Sequence, residues 1–273
     1  MIDRFAKLPA SLAEKSRTVR LQPGNIPALL CHPDWLTPVP TMIWMHGRTA
    51  YKELDSGRYS RWLKAGIAAV AIDLPGHGER SRDGGDGLEG APETLTVLAE
   101  MIGEIDAIVE ALADPIWQGV FDLDRLGIGG MSLGGMAALR RLCDPHEFRC
   151  AAVECTTGDL WSLYRPEGPR PWGQTFDQTL VQPLDALPRL GTFKPIPLLA
   201  LHCEADRIVP WAIQRGFLEA LRKHFRSAGA MPDLVEWQTW PTTGAPEEHS
   251  GFGRVSNEAK NAQTEFLARV LRA

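Results

Sequence analysis

The chain has 273 residues, 44% of them hydrophobic and 23% charged, proportions that fit a globular protein and exclude disorder. Against 34 acidic side chains stand 29 basic ones, a net charge of −5. Without a Lys/Arg run, that balance excludes a phosphate-backbone or anionic-lipid partner.

The first thirty positions carry charges throughout and no h-region, so no signal peptide is expected. The longest apolar runs, residues 66–72 and 196–201, fall far short of the ~20 residues a membrane span needs. The five cysteines, Cys31, Cys143, Cys150, Cys155 and Cys203, are odd in number and form no C-x-x-C. They read as reduced, buried small hydrophobes, which points to a cytoplasmic protein.

Along the chain, short Val/Ile/Leu-rich runs alternate with longer segments of helical period, the signature of a mostly parallel sheet covered on both faces. Residues 17–21 alternate polar and apolar, as an edge strand does, and 28–31 form its neighbour. A buried strand over 41–45 ends at His46-Gly47; a helix near 58–65 is closed by Gly66, as a C-terminal glycine often does. The strand 67–72 ends at Asp73, and the Gly-rich stretch 76–90 must be a loop.

Leu95, Leu98, Ile102, Ile105, Val109 and Leu112 then recur at three- and four-residue steps, one apolar helix stripe. Residues 126–131 read as a strand and 133–143 as a small-residue helix. Strands over 150–155 and 196–202 follow, and Pro210 suits the first turn of a helix striped by Phe217, Leu221 and Phe225. A last strand over 234–240 precedes a helix striped by Ala259, Ala262, Phe266 and Val270.

The expected fold is therefore α/β: one doubly wound domain over 1–273, with about eight strands and helices on both faces. One connection breaks the rhythm. Residues 156–195 lie between two strands, where a βα loop ordinarily takes ~2–6 residues. The segment carries Trp161, Tyr164, Trp172 and Phe176 and is expected to form a lid-like insertion.

The chemistry centres on Gly130, Ser132 and Gly134, a G-x-S-x-G between a buried strand and a small-residue helix. A serine at such a strand-to-helix turn needs small neighbours two residues away, and the turn lifts Oγ above the sheet. The helix start places backbone N–H groups beside it.

With His46-Gly47 after one strand, Asp73-Leu74-Pro75-Gly76-His77-Gly78 after the next, the serine elbow, Asp206 and His249, the chain resembles the α/β-hydrolase superfamily. Within it, the sequence is similar to esterases grouped with dienelactone hydrolases and to the catalytic domains of prolyl-oligopeptidase-type enzymes. Dienelactone hydrolases carry cysteine at the elbow, where this chain has Ser132.

The resemblance implies the chain order Ser…Asp/Glu…His. Of the late histidines, His202 ends a strand and precedes the acids, and His224 lies within a helix. His249 sits in a loop at a strand's C-terminal end, where such a sheet gathers its ligands, and is the expected base. Glu204 and Asp206 compete as its partner; Asp206, ahead of Arg207-Ile208-Val209-Pro210, matches the superfamily pattern.

The implied oxyanion hole is the backbone N–H of Leu133 with that of Arg48. His77 is expected to brace the site, and Trp161, Tyr164 and Trp172 to form an apolar wall over Ser132. No His/Cys/Asp group has zinc spacing, so no metal or other cofactor is expected. The implied activity is hydrolysis of small to medium carboxylic esters through an acyl-enzyme. The alternatives are cleavage of short peptides and non-catalytic ligand binding on the same scaffold.

Overall fold

A computed structural model describes residues 8–81, 91–169 and 177–272. A short helix α1 (Ala10–Ala13) precedes the strands β1 (Ser16–Leu21), β2 (Ile26–Cys31) and β3 (Val39–Met45). Then come α2 (Ser56–Lys64), β4 (Ala68–Ile72), α3 (Ala91–Leu112), β5 (Phe121–Met131), α4 (Leu133–Arg141) and β6 (Cys150–Glu154). Two short helices, α5 (Leu160–Tyr164) and α6 (Gln178–Val181), lie in the long connection. β7 (Leu198–Cys203), α7 (Trp211–Ser227), β8 (Val235–Trp240) and α8 (Ser256–Leu271) complete the chain.

The eight strands form one sheet in the order β1-β2-β4-β3-β5-β6-β7-β8. β2 pairs antiparallel with both β1 and β4, and every later pairing is parallel. β1 is the edge strand that its alternation predicts.

Side chains of β3 show why both faces need cover. Ile43 and Met45 enter a core with Leu98 and Ile105 of α3, Leu139 of α4 and Phe217 of α7. Met42 and Trp44 point the other way, into a core with Leu12 of α1, Trp62 of α2 and Leu267 of α8. The sheet is thus sandwiched between two helical layers, and parallel strands so covered read as continuous apolar runs.

Two departures from the sequence reading have local causes. β5 starts at Phe121, five residues before the expected 126, because Phe121 and Asp122 pair with Val39 and Pro40 across a register shift at Pro40/Thr41. The polar residues Asp122, Asp124 and Arg125 hid that extension. In α8 the buried face carries Gln263, fully buried, beside Phe266 and Leu267, whereas Ala262 is only half-buried. A polar side chain buried by pairing, as Gln263 is with Arg58 and Glu154, leaves no trace in apolar periodicity.

Candidate active site

Ser132 follows β5 and opens α4, with φ 50° and ψ −115°, a backbone conformation that costs a non-glycine residue energy. The glycines around it make the turn sterically feasible. A β-carbon on Gly130 would come 2.5 Å from both the Met45 carbonyl oxygen and the Gly134 carbonyl carbon, and one on Gly134 would strike the Met45 carbonyl. The Ser132 N–H donates to the Glu154 carbonyl at 2.8 Å, and its carbonyl accepts from Met136 N at 2.9 Å and Thr156 Oγ1 at 2.7 Å. The strained residue is therefore held from three sides.

Three side chains distant in sequence meet here. His249 Nε2 lies 2.9 Å from Ser132 Oγ, and His249 Nδ1 lies 2.8 Å from Asp206 Oδ2. The other Asp206 oxygen accepts from Ile208 N and Val209 N, both at 2.8 Å, so the loop before α7 fixes the carboxylate. Glu204, the competing acid, is exposed and accepts from Thr239 Oγ1 at 2.7 Å instead. His202 is buried, its Nε2 2.8 Å from the Val209 carbonyl, and burial holds its pKa below the ordinary value. His224 lies 2.9 Å from the Phe193 carbonyl, within α7.

His46 follows β3, and Gly47 and Arg48 come next, beside the elbow: a β-carbon on Gly47 would come within 2.9 Å of Met131 Sδ. His46 sets this loop. Its Nε2 accepts from Leu74 N at 3.2 Å, which leaves Nδ1 as the donor to the Gly47 carbonyl at 2.7 Å. Burial drives the His46 pKa down to about 4, which keeps the ring neutral in that tautomer. The buried His77 ring stacks edge-on against it at 5.3 Å, a brace acting through His46.

A cleft of about 700 Å³ crosses the carboxyl edge of the sheet over Ser132. On the α3/α4 side it is lined by apolar groups, among them Leu133, Met136, Leu163, Val209 and Tyr164. On the α2/α8 side it is lined by Asp55, Arg58, Glu154 and Lys260. Arg58 donates to both Glu154 oxygens, at 2.6 and 2.8 Å, and to Gln263 Oε1. Burial opposes the Arg58 charge, but Asp55 and Glu154 outweigh it and raise the pKa. Burial likewise pushes Glu154 up, against the pull of Arg58. This cluster leaves little signal in the sequence, because Arg58 and Lys260 lie in helices as ordinary surface residues would; the acid that ends the buried strand β6, Glu154, is its one local mark.

The expected aromatic wall is only partly present. Tyr164 is buried and lines the cleft, whereas Trp161 is 37% exposed and does not. The α5 start explains this: Asp185 accepts from Leu160 N and Trp161 N, and turns Leu163 and Tyr164 inward. Trp172 and Phe176 lie outside the described residues.

One proximity has no counterpart in sequence spacing. Among the described residues, the ligand atoms of Cys155, Asp206 and His249 lie within 4.8 Å of one another. Asp206 and His249 are engaged with each other, and burial holds the Cys155 thiol well above its ordinary pKa, hence protonated. All five cysteines are free and buried.

This serine–histidine–carboxylate geometry at the carboxyl edge of an eight-stranded sheet is that of an α/β-hydrolase. Residues 56–272 match the prolyl oligopeptidase family, and the chain belongs to it. It is 31% identical over 197 residues to the esterase YjfP of Escherichia coli strain K12, covering 68% of this chain and 77% of that protein. It is 28% identical over 246 residues to dipeptidyl aminopeptidase BIII of Pseudoxanthomonas mexicana, covering 86% of this chain but only 34% of that one. The crystal structure of TT1662 from Thermus thermophilus superposes with a TM-score of 0.70 at 23% identity, over 94% of this chain and 99% of that one. No helix among the described residues is long and apolar enough to cross a membrane.

Proposed function

We propose that this hydrolase is a serine-dependent carboxylesterase acting through an acyl-enzyme on Ser132. The observation that carries the reading is the 2.9 Å approach of His249 Nε2 to Ser132 Oγ, backed by Asp206. In this mechanism Ser132 attacks the ester carbonyl while His249 accepts its proton and returns it to the departing alcohol. Water then cleaves the acyl-enzyme with His249 again as base. Asp206 keeps the proton on Nδ1 and stabilises the imidazolium without taking the proton itself.

The negative charge on the former carbonyl oxygen is met by the Leu133 N–H, at the positive end of α4, and by the Arg48 N–H. The chemistry calls for no metal or other cofactor. Likeness to an esterase over most of its length favours an ester as substrate. Buried free thiols fit a reducing compartment, the cytoplasm, and the net charge of −5 fits a small-molecule rather than a nucleic-acid or membrane partner.

A burst of p-nitrophenol from p-nitrophenyl butyrate, and a fluorophosphonate adduct located on Ser132 by mass spectrometry, are the expected results. An adduct on another residue, or none on folded protein, rejects the proposal. Likeness to a dipeptidyl aminopeptidase supports a second reading, cleavage of short peptides. Faster turnover of dipeptidyl anilides than of any ester in a matched panel would favour it.

A further inference from the structure

The two sides of the cleft differ in charge, although Leu54, beside Asp55 in sequence, and Met131 also line it with hydrocarbon. On the α3/α4 side Met136, Leu163 and Val209 present hydrocarbon. On the α2/α8 side the wall holds two carboxylates, Asp55 and Glu154, and two cations, Arg58 and Lys260, whose charges cancel. Arg58 and Glu154 pair with each other and with Gln263, and the one Arg58 nitrogen left over, the buried Nε, makes no hydrogen bond.

Asp55 and Lys260 are not used up. Asp55 Oδ2 accepts from Trp44 Nε1 at 3.2 Å and lies 3.3 Å from Arg58 Nε. Its Oδ1 stands 3.7 Å from Lys260 Nζ, too far for a hydrogen bond. The two side chains are 26% and 20% exposed. The cleft therefore ends in an acceptor and a donor held apart, each with capacity to spare.

An apolar group placed there would strip water from both charges and return nothing. A group of net charge would meet a like charge as near as its opposite. A hydroxyl both donates and accepts, and a pair of hydroxyls can donate to Asp55 and accept from Lys260 at once.

We propose that this arm binds the hydroxylated alcohol portion of the ester, so that the substrates are esters of polyols. The inference rests on the esterase reading above. It assigns the alcohol to this arm because the leaving oxygen takes its proton from His249. From that base the chain runs through Ser250 and Gly251, which also line the cleft, into α8 and Lys260.

The test compares kcat/KM for four butyrate esters: glyceryl monobutyrate, butyl butyrate, cationic butyrylcholine and anionic O-butyrylglycolate. In the wild type the glyceryl ester is expected to lead the other three by tenfold or more. Lys260→Met should bring the glyceryl-to-butyl ratio within about twofold of one, and the control Lys194→Met, at an exposed lysine, should leave it unchanged.

Equal turnover of the four esters, preference for an ionic one, or a glyceryl preference that survives Lys260→Met overturns the inference alone. Absence of turnover of every ester, p-nitrophenyl butyrate included, overturns the esterase reading and this inference with it.

Discussion

The carbonyl oxygen of Met45, the last residue of β3, occupies the space that a β-carbon on Gly134 would need. This close approach of α4 to the end of β3 lies two residues beyond Ser132 and its unfavourable backbone conformation. Gly134→Ala is therefore expected to cost about 3 kcal/mol by overpacking against rigid backbone, read as a lowered midpoint in urea unfolding. The one tight contact of Gly47→Ala would be with a flexible side chain, Met131 Sδ at 2.9 Å, while Ser132 Cβ and the Met131 carbonyl stand at 3.4 and 3.5 Å, ordinary contact distances. It should cost under about 1 kcal/mol, and an equal loss in the two variants would contradict the difference drawn between them.

Asp206 does two things, one with each oxygen. Asp206→Asn keeps one acceptor for the amides of Ile208 and Val209 but can no longer hold the productive His249 tautomer. A fall in kcat of roughly 10⁴-fold is expected, with the unfolding midpoint little changed. Asp206→Ala removes both roles and should lose stability as well. A D206N variant with kcat within tenfold of wild type would discard the assignment of the acid.

Arg58 and Glu154 form a bidentate pair, both nearly inaccessible to water. Arg58→Met leaves a carboxylate buried without its partner, at a cost of about 3–5 kcal/mol. The double variant Arg58→Met, Glu154→Leu removes the stranded Glu154 charge and should recover part of that loss, the rest being the Arg58 contact that Asp55 still lacks. A double variant as unstable as the single one, by chemical denaturation, would show that the pair is not the source of the penalty.

Burial raises the Asp185 pKa to about 6, from an ordinary 3.8. The folded state therefore holds a proton that the unfolded chain has released between those two values, so this residue stabilises the fold increasingly as pH falls through about 6 toward 4. Relative to Asp185→Asn, the wild type should gain up to about 2 kcal/mol on going from pH 7 to pH 4, measured by paired urea unfolding at both pH values. Parallel pH dependences for the two proteins would contradict the shift.

The elements around the site were legible because they are local. The apolar runs of β3 to β7 are what a sheet covered on both faces requires, and the elbow glycines stand two residues either side of Ser132 because the chain turns back on itself there. His249 and Asp206 could be selected by chain order, since each sits in a loop after a strand on the sheet's carboxyl side.

What the sequence determined by itself, then, is the order and type of the elements and the identity of three chemically matched side chains. Tertiary structure decided what the cleft is lined with. Trp161, expected in the wall, is 37% exposed and does not line the cleft, while Asp55, Arg58, Glu154 and Lys260 form one wall from α2 with its preceding turn, β6 and α8, with Gln263 buried behind it. A buried ion pair carries no periodic signal, because its cost is repaid only by a partner far along the chain, and for Arg58 that partner, Glu154 at the end of β6, is known only once α2 lies against the sheet.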